Sequence, residues 1–127
     1  MDEFRIRYIV DDVDAAVAFY SDVLDLEVLM RPGPGFAMLG RGALRLLLNA
    51  PDGGGGAGQA LADGTTPEPG GWNRIQLVVD DLDATVRQVQ GAGAALRGEV
   101  VEGRGGRQVL VVDPSGNLVE LFEPYDG

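Results

Sequence analysis

The sequence contains an internal repeat. Residues 5–17 (RIRYIVDDVDAAV) and 74–86 (RIQLVVDDLDATV) are identical at eight of thirteen positions, with a constant offset of 69 between them. Three of the other positions exchange one apolar residue for another, so the structural role is kept where the identity is not. A repeat of this length predicts two copies of one supersecondary unit, which restricts the fold more than composition does.

Each copy has the pattern of a strand followed by a capped helix. Residues 5–10 and 74–79 favour β-structure, and an Asp-Asp pair follows each run. We predict Asp12 and Asp81 as N-caps, because a short carboxylate accepts hydrogen bonds from the unpaired amides of the first turn. Apolar residues at helical spacing then predict one buried stripe per copy: Val13, Ala16, Val17, Tyr20 and Leu24, with Phe19 beside them, and Leu82, Val86 and Val89.

Three further strand-like runs follow each helix. They cover residues 27–31, 36–39 and 44–49 in the first copy and 99–102, 107–112 and 118–123 in the second. Pro and Gly separate them, and Asp113-Pro114-Ser115-Gly116 fits a type I turn. The order is βαβββ twice, which predicts an α+β fold in which the two modules form a cupped mixed sheet with helices on its outer face.

The length of 127 residues fits a single domain. Its modules are predicted at about 1–51 and 72–127, joined by a connector at 52–71 that holds four consecutive glycines. Such a composition forms no core of its own, so the connector is interpreted as a flexible linker, as a lid over a site, or as both.

Charge and residue inventory exclude several classes of function. A net charge of −10 repels nucleic acid and anionic lipid. No run is long and apolar enough to span a membrane, and the first residues lack a secretory pattern, so we expect a cytoplasmic protein. The sequence has no Cys and no His, which removes disulfides, thiolate nucleophiles and a serine triad.

The chain resembles the vicinal oxygen chelate superfamily, which includes glyoxalase I, extradiol dioxygenases and bleomycin resistance proteins. The resemblance rests on residues 8–20 (YIVDDVDAAVAFY), on Val23-Leu24, and on residues 113–124 (DPSGNLVELFEP). It covers nearly the whole chain apart from the connector. These motifs are specific for the fold and weak for function, because one scaffold supports many activities.

Metal enzymes of that superfamily place four ligands inside the cup, two on the first strands and two on the last. Alignment on the Asp-Asp pairs carries these positions onto Arg5, Arg74, Glu120 and Leu47, or Leu46 if the register slips by one. A transition metal requires three or four His, Cys or carboxylate donors, and arginine is a permanent cation without a lone pair. We therefore expect no metal and no other cofactor.

Alternation along the strands predicts the side chains that line the cup. If Arg5 faces inward, so do Arg7 and Ile9, while Ile6, Tyr8 and Val10 face the helix; Arg74, Gln76 and Val78 are their counterparts. Either Arg74 or Arg5 is a candidate partner for Glu120. The predicted ligand-binding residues are Arg5, Arg7, Phe36, Met38, Leu47, Trp72, Arg74, Gln76 and Glu120.

Two functions of different classes remain open from the sequence. The resemblance and the missing catalytic residues favour a metal-free protein that binds and sequesters an antibiotic or natural product, either a bleomycin-like cation or a planar aromatic compound. The alternative is a metal-independent lyase or isomerase that uses Glu120 as its base. A related protein without a ligand also fits the sequence. By resemblance, the chain is expected to form a homodimer.

Overall fold

The computed structural model describes residues 3–51 and 56–125. The chain forms two compact units, Met1–Gly70 and Gly71–Gly127. Each unit contains one helical segment and one four-stranded mixed sheet, in the order βαβββ. The predicted repeat and the α+β fold class are confirmed.

The first unit is built around the sheet β1-β4-β3-β2. Strand β1 runs parallel to β4, and β3 is antiparallel to both β4 and β2. A short helix packs on the sheet through β3 and β4. The elements are β1 Phe4–Ile9, α1 Val13–Ala18, a π-helical turn Phe19–Val23, β2 Glu27–Gly33, β3 Phe36–Arg41 and β4 Leu44–Asn49.

The second unit repeats the same topology with a longer helix. Its sheet has the order β5-β8-β7-β6, with β5 parallel to β8 and the other two pairs antiparallel. The helix packs on β6 and β8. The elements are β5 Ile75–Val78, α2 Leu82–Gly91, β6 Ala95–Glu102, β7 Gly106–Val112 and β8 Leu118–Pro124.

Both predicted helix caps are present. Asp12 Oδ1 accepts a hydrogen bond from the Ala15 amide at 3.1 Å, and Asp81 Oδ1 accepts one from the Ala84 amide at 3.0 Å. In the second unit a carboxylate from the last strand adds to the cap, since the Leu82 amide donates to Glu123 Oε1 at 2.7 Å. The recurrence of an Asp at this position in both repeats therefore has a local cause, which is that its carboxylate accepts hydrogen bonds from first-turn amides.

The predicted apolar stripes pack against the sheets. Val13, Ala16, Val17, Phe19, Tyr20 and Leu24 are all buried, as are Leu82 and Val89, while Val86 is half-buried. The alternation predicted for residues 5–10 holds for Tyr8 on β1 and for Val10 just after it, which are buried, but Ile6 is 39% exposed. Ile6 therefore departs from the predicted helix-facing pattern of this strand.

Strand β6 begins earlier than predicted. The sequence indicated residues 99–102, whereas the strand extends from Ala95 to Glu102. Its pairing with β7 shifts between Arg97 and Val101, and Gly98 has a φ of 84°. A glycine tolerates this conformation, so the strand continues through the irregularity. The alternation of apolar and polar residues in the sequence does not indicate such an irregularity.

The predicted turn after β7 is confirmed. The Gly116 amide donates to the Asp113 carbonyl at 3.0 Å, and Asp113 Oδ1 accepts from the Ser115 and Asn117 amides. Within the connector, residues 52–55 with their glycines lie outside the described residues. Residues 61–65 form a hydrogen-bonded turn in which the Leu61 amide donates to the Thr65 carbonyl at 2.8 Å. Of the helices in the described ranges, none combines the length and apolar character of a membrane span.

Candidate binding cavity and polar cluster

A cavity of about 500 Å³ lies within the first unit. Its wall combines two arginines and an asparagine with apolar side chains and backbone. The lining residues are Arg5, Arg7, Pro32, Gly33, Pro34, Gly35, Phe36, Leu47, Asn49 and Gly56. The volume is in the range of small-molecule sites, which are lined mainly by apolar groups with a few polar ones.

The register of the first sheet brings the cavity residues together. Arg7 on β1 lies opposite Leu47 on the parallel strand β4, and Phe36 on β3 lies opposite Asn49 on β4. Leu47 and Asn49 share one face of β4, while Leu46 and Leu48 are buried on the other face. Strand alternation therefore separates the cavity face from the core face.

Arg7 is held by an amide. Its Nη1 donates to Asn49 Oδ1 at 2.9 Å, and Asn49 is only 2% exposed. The guanidinium has five N–H donors and carries a permanent charge, so one bond to a neutral oxygen orients it without neutralising it.

Arg5 has a different partner. Its Nε donates to Glu3 Oε2 at 2.5 Å, and both side chains are substantially exposed, by 58% and 40%. An exposed ion pair of this kind contributes little to stability, because water and salt screen it. Arg5 is therefore paired with the carboxylate of Glu3, whereas Arg7 is bound to the neutral amide of Asn49 in the cavity wall.

A second polar cluster lies within the second unit. Glu120 on β8 accepts hydrogen bonds from Arg74 Nε at 3.0 Å and from Arg74 Nη2 at 2.8 Å, both at Oε1. Gln76 Nε2 donates to the other oxygen at 2.6 Å. Of the two arginines considered as partners of Glu120, the structure shows Arg74.

The residues at the four aligned ligand positions do not fit a transition metal. Arg5, Arg74 and Leu47 offer no lone pair, and the oxygens of Glu120 already accept three hydrogen bonds from Arg74 and Gln76. In the part of the chain that the structure describes, no group of three or more His, Cys, Asp or Glu residues is close enough to hold an ion.

The structure places the predicted ligand-binding residues in two groups. Arg5, Arg7, Phe36 and Leu47 line the cavity of the first unit, whereas Arg74, Gln76 and Glu120 form the cluster of the second unit. Met38 is half-buried and lies opposite Leu47 on the neighbouring strand, but it does not line the cavity.

Trp72, the only tryptophan, is 62% exposed and has an arginine partner. The Arg97 guanidinium lies 4.3 Å from the centre of its ring, and Arg74 Nη1 donates to the Trp72 carbonyl at 3.2 Å. Stacking of this kind orients an exposed indole.

Three parts of the sites were not predicted as such from the sequence: Asn49, residues 32–35 in the cavity wall, and Arg97 beside Trp72. Asn49 had a detectable signal, because it ends a run of leucines and has the same strand parity as Leu47. Pro34 and its neighbours were interpreted only as a turn. Arg97 had no signal, since it lies in the part of β6 that precedes the predicted strand at residues 99–102.

Comparison with known proteins identifies the family. The family model of the Glyoxalase/Bleomycin resistance protein/Dioxygenase superfamily matches residues 4–121. The chain belongs to this superfamily. The match confirms the resemblance based on residues 8–20 and 113–124, and the superfamily fold accounts for the paired βαβββ units.

Solved structures of the superfamily fold cover nearly the whole chain. Lactoylglutathione lyase from Agrobacterium tumefaciens is 26% identical, with a TM-score of 0.73 and coverage of 94% of this chain and 91% of that one. TnmS3, an antibiotic binding protein from Streptomyces sp. CB03234, is 24% identical, with a TM-score of 0.73 and coverage of 98% and 96%. TioX from Micromonospora sp. ML1 is 22% identical, with a TM-score of 0.76 and coverage of 98% and 99%. No curated protein matches the sequence.

Proposed function

We propose that this protein is a metal-free small-molecule binding protein that sequesters an antibiotic or another natural product. The observation that carries the proposal is the cavity of about 500 Å³ in the first unit, which has cationic and apolar walls. Among the described residues that line the cavity there is no His, Cys, Ser, Asp or Glu that could act as nucleophile or base.

The chemistry of the wall favours a planar, oxygen-rich ligand. Phe36, Leu47 and Pro34 offer apolar surface to a ring system, and guanidinium groups stack on rings and donate to carbonyl oxygens. The net charge of −10 favours encounter with cations, whereas Arg5 and Arg7 favour anionic or carbonyl groups at contact distance. We give the contact residues more weight, because long-range charge mainly sets the rate of encounter.

The similarity to TnmS3 supports an antibiotic as the ligand. That protein is an antibiotic binding protein, and it shares the fold over nearly the full length of both chains. We propose Arg5, Arg7, Phe36 and Leu47 as the main contacts. Met38, Trp72, Arg74, Gln76 and Glu120 remain predicted contacts.

The alternative of a lyase or isomerase rests on Glu120 and on the similarity to lactoylglutathione lyase. A base must present a free lone pair to the substrate proton. In Glu120 the carboxylate lone pairs already accept three hydrogen bonds from Arg74 and Gln76, which compete with a substrate proton. Mass spectrometry of the recovered ligand separates the two functions. Binding returns an intact compound, whereas catalysis returns a product and is abolished by Glu120→Gln.

We also propose that the protein is a cytoplasmic homodimer. Exposed apolar side chains on the two edge strands of the first sheet support self-association, namely Phe4 and Ile6 on β1 and Val28, Leu29 and Met30 on β2. Sedimentation equilibrium of the purified protein tests this, and a monomer mass over the micromolar range would contradict it.

Calorimetric titration of EDTA-dialysed protein with bleomycin and with a panel of anthraquinone-type antibiotics tests the proposed function. We expect saturable binding of at least one compound, weakened in Arg7→Gln, together with protection of sensitive cells on expression. Arg104→Gln, a substitution of an exposed arginine in the second unit, is the matched control. The absence of saturable binding for every compound, with no protection of cells, would contradict sequestration.

A further inference from the structure

The two units carry different side chains at equivalent positions of their parallel strand pairs. In the first unit Arg7 on β1 lies opposite Leu47 on β4, and in the second unit Gln76 on β5 lies opposite Glu120 on β8. The repeat offset of 69 aligns Arg7 with Gln76 and Arg5 with Arg74. Leu47 therefore occupies the position that Glu120 occupies in the second unit, and both are buried, at 6% and 7% exposure.

This difference changes the charge balance of the two sites. In the second unit the carboxylate of Glu120 neutralises Arg74 through two hydrogen bonds and also accepts from Gln76. In the first unit a leucine replaces that carboxylate and adds no acceptor. Among the residues that the structure describes, Arg7 has no carboxylate within ion-pair distance, and its partner is the neutral Asn49 oxygen at 2.9 Å.

A cation at the wall of a cavity gains most from an anion that arrives with the ligand. Arginine recognises carboxylates through paired N–H donors, and such charge-assisted bonds are stronger than neutral ones. Because Asn49 occupies only one donor of Arg7, the other donors can bind a second acceptor.

We propose that the natural ligand carries a carboxylate on a planar aromatic body, and that this carboxylate pairs with Arg7. The ligand's acidic group would then supply to the first unit the charge that Glu120 supplies to the second. The apolar wall formed by Phe36 and Leu47 takes the ring system. This inference rests on the proposed binding function and specifies its substrate class.

A matched pair of probes tests the inference. Anthraquinone-2-carboxylate and anthraquinone-2-carboxamide have the same ring system and differ in charge. Calorimetry should show the acid binding about tenfold to a hundredfold more tightly, as expected for a hydrogen bond between charged partners. Equal affinity for the two probes overturns this inference and leaves the proposed function standing. The same holds if the protein binds neither probe but binds another compound of the antibiotic panel. If the protein binds no compound at all, the proposed function fails as well.

An isosteric variant locates the interaction. Asn49→Asp places a carboxylate on the existing partner of Arg7 without changing the side-chain volume, so the preference for the acid should disappear while the carboxamide still binds. Gln88→Glu, on the exposed face of α2 in the second unit, adds the same charge and should keep the preference. An unchanged preference in Asn49→Asp overturns the assignment to Arg7.

A second variant covers the case in which Asn49→Asp fails to fold. Leu47→Glu installs in the first unit the carboxylate that the second unit carries, and Leu47→Gln is its neutral control of similar shape. We expect Leu47→Glu to lose the preference for the acid and Leu47→Gln to keep it. Loss in both variants to the same extent would assign the effect to packing and overturn the inference.

Discussion

Arg74 donates from both Nε and Nη2 to a single oxygen of Glu120, at 3.0 and 2.8 Å, and leaves the other oxygen to Gln76. Glu120 is 7% exposed, so its negative charge is compensated mainly by Arg74 rather than by water, and Gln76 adds a neutral hydrogen bond. At this position on β8, Glu120 accepts the three hydrogen bonds that connect it to Arg74 and Gln76.

Glu120→Gln should lower the free energy of unfolding by roughly 1–3 kcal/mol, because it removes the charge from a set of hydrogen bonds around a nearly buried group. Urea unfolding at neutral pH, followed by circular dichroism, measures the change. In the double variant Arg74→Leu/Glu120→Leu, which leaves no unpaired charge, we expect part of this loss to be recovered. A Glu120→Gln variant as stable as the wild type would show that the Arg74–Glu120 ion pair makes no net contribution to the stability of the fold.

Gly106→Ala should destabilise the protein by about 1–3 kcal/mol, the typical cost of overpacking. A Cβ at this position would lie 2.2 Å from the Glu123 carbonyl oxygen and 2.8 Å from the Phe122 ring. Gly91→Ala is the matched control, since its Cβ meets nothing within 4 Å and alanine favours the helix. Thermal unfolding compares the two, and an equal effect in both variants would contradict the argument.

The Asp83–Arg107 pair predicts a pH dependence. The hydrogen bond from Arg107, at 2.9 Å, and its positive charge hold the pKa of Asp83 below its usual value of 3.8. A carboxyl whose pKa is lowered on folding adds stability above its unfolded pKa, and this stability is lost as the pH falls through the folded pKa. Arg107→Gln should therefore be less stable than the wild type at about pH 7, and the difference should shrink progressively as the pH falls below the usual carboxyl pKa of 3.8.

Melting temperatures of both proteins across this range, at low ionic strength, measure the effect. Arg104→Gln, an exposed arginine without an ion pair among the described residues, controls for the change in net charge. A difference between the wild type and Arg107→Gln that stays constant with pH would contradict the assignment to Asp83.

Divalent ions should leave the stability unchanged. An ion that binds only the folded state adds about 2.7 kcal/mol at a hundred times its Kd, which is easily seen in a melting curve. With arginines and a leucine at three of the four aligned ligand positions, we expect the same melting temperature in EDTA as in Zn²⁺, Ni²⁺ or Mn²⁺. A rise in the melting temperature with one ion, removed by Glu120→Gln, would contradict this expectation.

The parts of the fold that depend on local chemistry could be predicted from the sequence. Asp12 and Asp81 cap their helices because the carboxylate and the first-turn amides are neighbours in the chain. The turn at residues 113–116 forms for a similar reason. Repetition of these signals at a fixed offset also predicted the topology.

Features that depend on partners distant in sequence were predicted less well. The early start of β6 follows from its pairing with β7 and from the conformation of Gly98, neither of which changes the side-chain pattern. Of the site, strand parity placed Arg5, Arg7 and Leu47 on one face. The role of Asn49 depends on a hydrogen bond across 42 residues, and the partner of Glu120 had to be seen in the structure.

Native mass spectrometry of the purified protein after incubation with an anthraquinone-type antibiotic tests the central claim, which is the binding of an intact ligand without a metal. We predict a complex whose added mass equals that of the unmodified compound, with no divalent ion retained. A complex that forms only together with a bound divalent ion, or a released compound of altered mass, would contradict the account.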